Sequence, residues 1–145
     1  MNLPEYVTVE EVKRVCKELK LRDWTGLKEP SITSEEAKIL LPLVNADSLD
    51  IEADQFRKGL EVELEHGMSF ANYNVTNNHP VLTAKIVMAH FMETLDYYRL
   101  LDVAELEGDL LKALTSKNVD KARTKYKKLA EAKIDLAGSE SSRLK

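Results

Sequence analysis

The sequence predicts an all-α protein, a bundle of four to six helices. Three observations carry this. Apolar residues recur at spacings of three and four along most of the chain. Serine, threonine and asparagine caps, with proline and glycine punctuation, divide that pattern into helix-sized segments. No stretch alternates apolar and polar residues over the length of a strand. The 145 residues, 43% hydrophobic and 32% charged, suit one compact domain, expected over residues 1–138.

Each element has its own signal. Thr8 opens the first helix, with Glu11 three residues on as a capping box, and Val9, Val12, Cys16 and Leu19 form its apolar stripe. Arg22-Asp23-Trp24-Thr25-Gly26 reads as a turn, with Pro30 in the connector beyond. Thr33 or Ser34 starts a short second helix that Pro42 should end or kink, since proline lacks an amide proton. Ser48 or Asp50 caps a third helix over about 50–66, and Gly67 is its natural stop. An asparagine-rich loop follows from Met68 to His79, with His79 expected at the surface. Pro80 takes the first position of a fourth helix, expected over about 80–101 with a break near Gly108 if the pattern continues to Leu114. A last helix, over about 118–137, is basic. Lys117, Lys121, Arg123, Lys125, Lys127, Lys128 and Lys133 face only Asp120, Glu131 and Asp135. Residues 139–145 read as a polar, mobile tail.

Charge and composition exclude several functions. A net charge of −4 argues against nucleic-acid binding as the main task. No apolar run approaches the roughly 18 residues of a membrane span. One cysteine excludes an internal disulfide framework, and Met1-Asn2-Leu3-Pro4-Glu5-Tyr6 lacks the basic and apolar regions of a secretory signal. The expected compartment is therefore the cytoplasm, with no nucleic acid and no membrane among the partners. No phosphate-cradling glycine loop, nucleophile–base motif or zinc-finger spacing is present, so no catalytic residue is assigned.

Two segments carry chemistry. On a helical wheel, Phe56, Gly59, Leu60 and Leu64 define one apolar arc; Glu63 falls near its middle and His66 at its edge, while Glu61 and Glu65 point toward solvent. The next helix repeats the pair in reverse. His90 lies at the centre of the face shared by Thr83, Ile86, Val87, Thr94 and Leu101, with Glu93 one turn on along the same face, then Tyr97, and Asp96 to the side. A carboxylate on a packing face is costly unless it is paired or bound to a metal. Two helices joined by a short loop pack antiparallel, which would set Glu63 beside Glu93 and His66 beside His90. Glu63, His66, His90 and Glu93 then form a candidate metal site, with Tyr97 and Asp96 hydrogen-bonding its ligands. Iron is the first candidate, with zinc or manganese as alternatives, because mixed nitrogen and oxygen ligation does not select among them. The same four residues also suit plain Glu–His pairs that fix helix register.

These residues resemble a family of microbial and phage proteins classed as an uncharacterised domain of unknown function. The resemblance is carried by Phe56-Arg57-x-Gly59, by Val62-Glu63-Leu64-Glu65-His66-Gly67, by Asn74-Val75-Thr76, by Pro80-Val81-Leu82-Thr83, by Ala89-His90 and Glu93, and by Asp96-Tyr97-Tyr98. It covers about residues 56–100 well and the N-terminal part loosely. It implies a ferritin-like architecture in part. The di-iron pattern of such bundles is only half matched, since it draws glutamates from four helices. A full site would need a second pair of helices, as from a second subunit, and a homodimer is the expected assembly.

The expected function is metal binding at a Glu/His site, with ferroxidase-like oxygen chemistry if the ion keeps open positions. The rival is a non-enzymatic assembly or adaptor module, in which the Glu–His pairs are structural or hold structural zinc, and the basic last helix docks a protein partner.

Overall fold

The computed structural model describes residues 6–144. Their regular structure is helical throughout, in six α-helices and two short 3-10 turns, with no strand among the described residues. The all-α expectation holds. The chain gathers into two compact units, one ending at Met92 and the other beginning at Glu93, where the sequence suggests one domain over 1–138.

The first unit contains α1 (Val9–Glu18), a 3-10 turn at Trp24–Gly26, α2 (Ser34–Val44), α3 (Ala53–Ser69), a second 3-10 turn at Ala71–Tyr73, and α4 (Pro80–Glu93), which runs up to the division. Thr8 caps α1, its hydroxyl oxygen accepting from the Glu11 amide at 3.2 Å. Thr33 caps α2 with a complete capping box: its hydroxyl accepts from the Glu36 amide while Glu36 accepts from the Thr33 amide. Pro42 lies inside α2, which ends two residues later at Val44, so the proline sits close to the end rather than at it. Helices α2 and α3 pack on one another. Trp24, Leu40, Phe56, Leu60 and Leu64 are almost wholly buried, each worth roughly 1.5–3 kcal/mol of apolar transfer.

A buried glutamate organises the start of this unit. Glu36 accepts from Arg22 Nη2 at 2.6 Å, from Trp24 Nε1 at 3.1 Å and from the Thr33 amide at 3.0 Å. Burial alone would raise its carboxyl pKa. The hydrogen bonds from Arg22, Thr33 and Trp24 outweigh that and hold it at about 2.

The second unit is a helical hairpin of α5 (Tyr97–Thr115) and α6 (Val119–Arg143). Its turn places Lys117 in the left-handed region, at φ 56°, and Asn118 caps α6 by accepting from the Lys121 amide at 3.0 Å. Tyr98, Leu106, Ala113, Ala122 and Leu129 are buried in it.

Five features differ from expectation. The helix predicted over 80–101 is interrupted at residues 94–96, where the Thr94 carbonyl accepts from the Tyr97 amide at 3.1 Å and the Thr94 hydroxyl accepts from the Asp96 amide at 3.3 Å. A threonine side chain that bonds the local backbone competes with helix continuation. Gly67 does not stop α3, which continues to Ser69, and Gly108 does not break α5. The third helix begins at Ala53, later than either predicted cap, and Glu52 supplies no side-chain cap. Residues predicted as a polar tail are helical to Arg143. They are held by Asp96, which is 2% exposed and bonded to Arg99 Nη1 at 3.3 Å, to Ser139 Oγ at 2.7 Å and to Arg143. Arg99 also reaches Asp135 at 3.0 Å.

No described helix is long and apolar enough to cross a membrane.

Candidate functional site

The apolar arc of α3 is placed as the wheel predicts: Phe56, Gly59, Leu60 and Leu64 are buried. Glu63 follows them inward, its side chain only 12% exposed. Its two oxygens face two imidazoles. Oε1 lies 3.1 Å from His90 Nδ1, a hydrogen-bond distance. Oε2 lies 3.8 Å from His66 Nδ1, too far for a direct bond. His90 is a quarter exposed and His66 about half.

The register differs from the one predicted. Glu63 meets His90, one turn before the expected Glu93, and Ile86 of α4 lines the same cleft as Gly67 of α3 and Phe70 just beyond its end. Contacts in that order belong to two helices running in opposite directions. The arc that α4 buries is Thr83, Ala84, Val87, Met88 and Phe91. His90 stands at its edge rather than its centre, and Glu93 falls on the far side of the helix, exposed. The inward position expected for Glu93 is thus corrected. The structure brings Glu63, His66 and His90 together. Glu93, Asp96 and Tyr97 lie in the second unit, where Asp96 is committed to Arg99, Ser139 and Arg143 and Tyr97 packs edge-on against Tyr98.

Beside Glu63 opens a cleft of about 290 Å³, lined by Glu63, His66, Gly67, Phe70, Tyr73, Asn74, Val75, Thr76 and Ile86. Phe70 and Tyr73 are exposed at its rim. The asparagine-rich loop builds its wall. Asn74 Nδ2 donates to the Gly67 carbonyl at 3.1 Å and to Asn78 Oδ1 at 2.9 Å. Asn77 and Asn78 adopt left-handed backbone, at φ 48° and 57°, which asparagine tolerates better than most residues. Asn77 Nδ2 donates to the Val7 carbonyl at 2.6 Å, tying the loop to the segment before α1. Gly67 is required by this arrangement: a Cβ there would stand 2.0 Å from Asn78 Oδ1 and 2.9 Å from Asn74 Nδ2.

Three residues have partners that the sequence pattern does not show. Glu61, read as a solvent charge, accepts from the Ile32 amide at 3.0 Å and from Arg57 Nη1 at 2.8 Å, so it ties α3 to the strap before α2. His79, read as a surface residue, is buried, and its Nδ1 accepts from the Leu82 amide at 3.3 Å. Burial pushes that imidazole below its ordinary pKa. Glu36, in the first turn of α2, is buried as a charge although its position in the sequence pattern does not mark it as inward. Its signal was the Thr33/Glu36 capping pair, which marks a carboxylate held against backbone.

Chemically, the site is a carboxylate bracketed by two imidazoles. An ion bound at roughly 2.0–2.2 Å to each of two tetrahedral ligands sets them about 3.3–3.6 Å apart, and the two observed separations fall on either side of that range. As placed, no group of three or more histidine, cysteine, aspartate or glutamate side chains among the described residues could hold a metal ion.

No curated protein and no solved structure matches the chain. The model of one family, DUF5661, described as a protein of unknown function, matches residues 12–107, from α1 into α5 and across every residue of the candidate site. The chain belongs to that family.

Proposed function

We propose that the chain binds a divalent transition metal through Glu63, His66 and His90, with iron first and zinc or manganese next. The observation that supports this reading is the bracketing of one inward carboxylate by imidazoles from two helices, beside a cleft. On this reading the donors close on the ion as it binds. His66, half exposed, turns toward Glu63 at little packing cost, and the ion replaces the direct Glu63–His90 contact. Positions left open by the three residues would face the cleft, where water or dioxygen would complete the shell; with iron bound, dioxygen would be the oxidant that takes the electron from the ferrous ion.

Equilibrium dialysis of the untagged chain against Fe(II), Mn(II) and Zn(II), followed by elemental analysis, tests it. The expected result is about one ion per chain, lost in Glu63→Ala and retained in Glu65→Ala. Absence of uptake by the wild-type chain, or equal loss in both variants, overturns the reading.

A second reading is favoured by the direct 3.1 Å contact between Glu63 and His90. It is complete without an ion, as expected of a structural pair in a non-enzymatic adaptor. On that reading metal uptake is absent and His90→Ala lowers stability.

A further inference from the structure

The α5–α6 hairpin leaves more apolar surface uncovered than its own two helices can bury. Leu111 and Leu114 on α5 are 62% and 58% exposed; Val119, Tyr126 and Ile134 on α6 are 69%, 66% and 73% exposed. Scattered apolar residues at a surface need no explanation, but a continuous stripe does. These form one. Leu111 and Leu114 are one turn apart, as are, at two-turn intervals, Val119, Tyr126 and Ile134. Leu114 and Val119 line the same apolar hollow of about 240 Å³ at the hairpin turn, so the two stripes join there.

Charge says what covers this face. Within the hairpin, α5 is net acidic and α6 net basic, and the two are laced by Lys125 Nζ to Asp109 at 2.6 Å and Lys133 Nζ to Glu107 at 2.7 Å. Further cations on α6, Arg123 and Lys127 among them, are exposed beside this face. A nucleic acid or a uniformly acidic partner would suit α6 but meet repulsion from α5. A second copy of the hairpin, turned by a two-fold axis, suits both: each acidic α5 comes to lie beside the other's basic α6. Two such hairpins make four helices around one core, the closed form of this architecture.

We propose that the Leu111, Leu114, Val119, Tyr126 and Ile134 face is a homodimer interface, formed by two copies of the chain through their α5–α6 hairpins. It stands independently of the metal reading, since it uses none of the same residues.

Sedimentation equilibrium of the full chain tests it, at concentrations up to about 100 µM. The expected mass is twice the 16.5 kDa of one chain. Tyr126→Glu and Leu114→Glu should each weaken the dimer at least about tenfold without loss of helical circular dichroism, because both positions are exposed in the single chain. Lys128→Ala, on the other side of α6, should leave the dimer intact. A wild-type monomer throughout that range overturns the proposal. So does a dimer that survives both glutamate substitutions, which would put the interface elsewhere. A face covered by an unrelated protein, or by another part of the same chain, would give the monomer.

Discussion

Ser139 donates a hydrogen bond of 2.7 Å to Asp96, a carboxylate 43 residues earlier in the chain and 2% exposed. The end of α6 thereby closes a buried polar cluster at the start of α5, together with Arg99 and Arg143. A buried charge that loses partners keeps its desolvation cost. Deleting residues 139–145 should therefore destabilise the hairpin by about 2–4 kcal/mol. Denaturant unfolding followed by circular dichroism reads this directly, and an unchanged midpoint would show that these residues are dispensable.

Glu36 makes the first unit sensitive to acid. Its carboxyl is held at about 2 in the fold, against an ordinary 4.5. A depressed carboxylate contributes stability above its unfolded pKa and loses it as pH falls through the folded one, here between about 4.5 and 2. The stake is about 3 kcal/mol for a side chain this buried. Urea unfolding of the wild type should weaken over that window. Glu36→Gln should be weaker at pH 7 and show a flatter acid limb. Parallel pH profiles for the two proteins would contradict the assignment.

Gly67 and Gly108 should respond oppositely to alanine. Both lie inside helices, where alanine is favoured by roughly 1 kcal/mol. At Gly108 nothing lies within 4 Å of the added methyl, so Gly108→Ala should stabilise by up to about 1 kcal/mol. At Gly67 the methyl displaces Asn78 and Asn74, whose mutual bond and bond to the Gly67 carbonyl hold the loop. Losing two hydrogen bonds outweighs the helix gain, and Gly67→Ala should cost about 1–2 kcal/mol net. Thermal melts of the two variants give the signs.

His90 and His66 should differ in the metal-free protein. Only His90 is within hydrogen-bond distance of Glu63, and it is the more buried. His90→Ala should cost about 1–2 kcal/mol and His66→Ala under about 0.5 kcal/mol. Equal costs would mean that both imidazoles bond Glu63 in solution.

Local signals carried the fold well. The Thr8 and Thr33 caps, Pro80 at the first position of α4 and the Thr115–Asn118 turn all lie where their chemistry puts them. Periodicity also separated inward Glu63 from exposed Glu65. Tertiary partners were not legible. Gly67 reads as a stop until Asn78 is seen against it, and the tail reads as loose until Asp96 is seen beneath it. The register of α3 against α4 differs by one turn from the expected one because a wheel gives the face of a helix but not its sliding position. Thr83, Ala84, Val87, Met88 and Phe91 are the arc that α4 buries, and that arc leaves Glu93 turned outward.

The clasp from Asn77 to the Val7 carbonyl has a practical side. It spans 70 residues of chain and anchors the wall of the cleft to the lead-in of α1. A fusion joined close to Val7 would therefore strain the rim where a ligand enters, and one joined hard against Arg143 would tug on Asp96 instead. Spacers long enough to leave both fastenings slack are needed before affinities from fused and unfused protein can be compared.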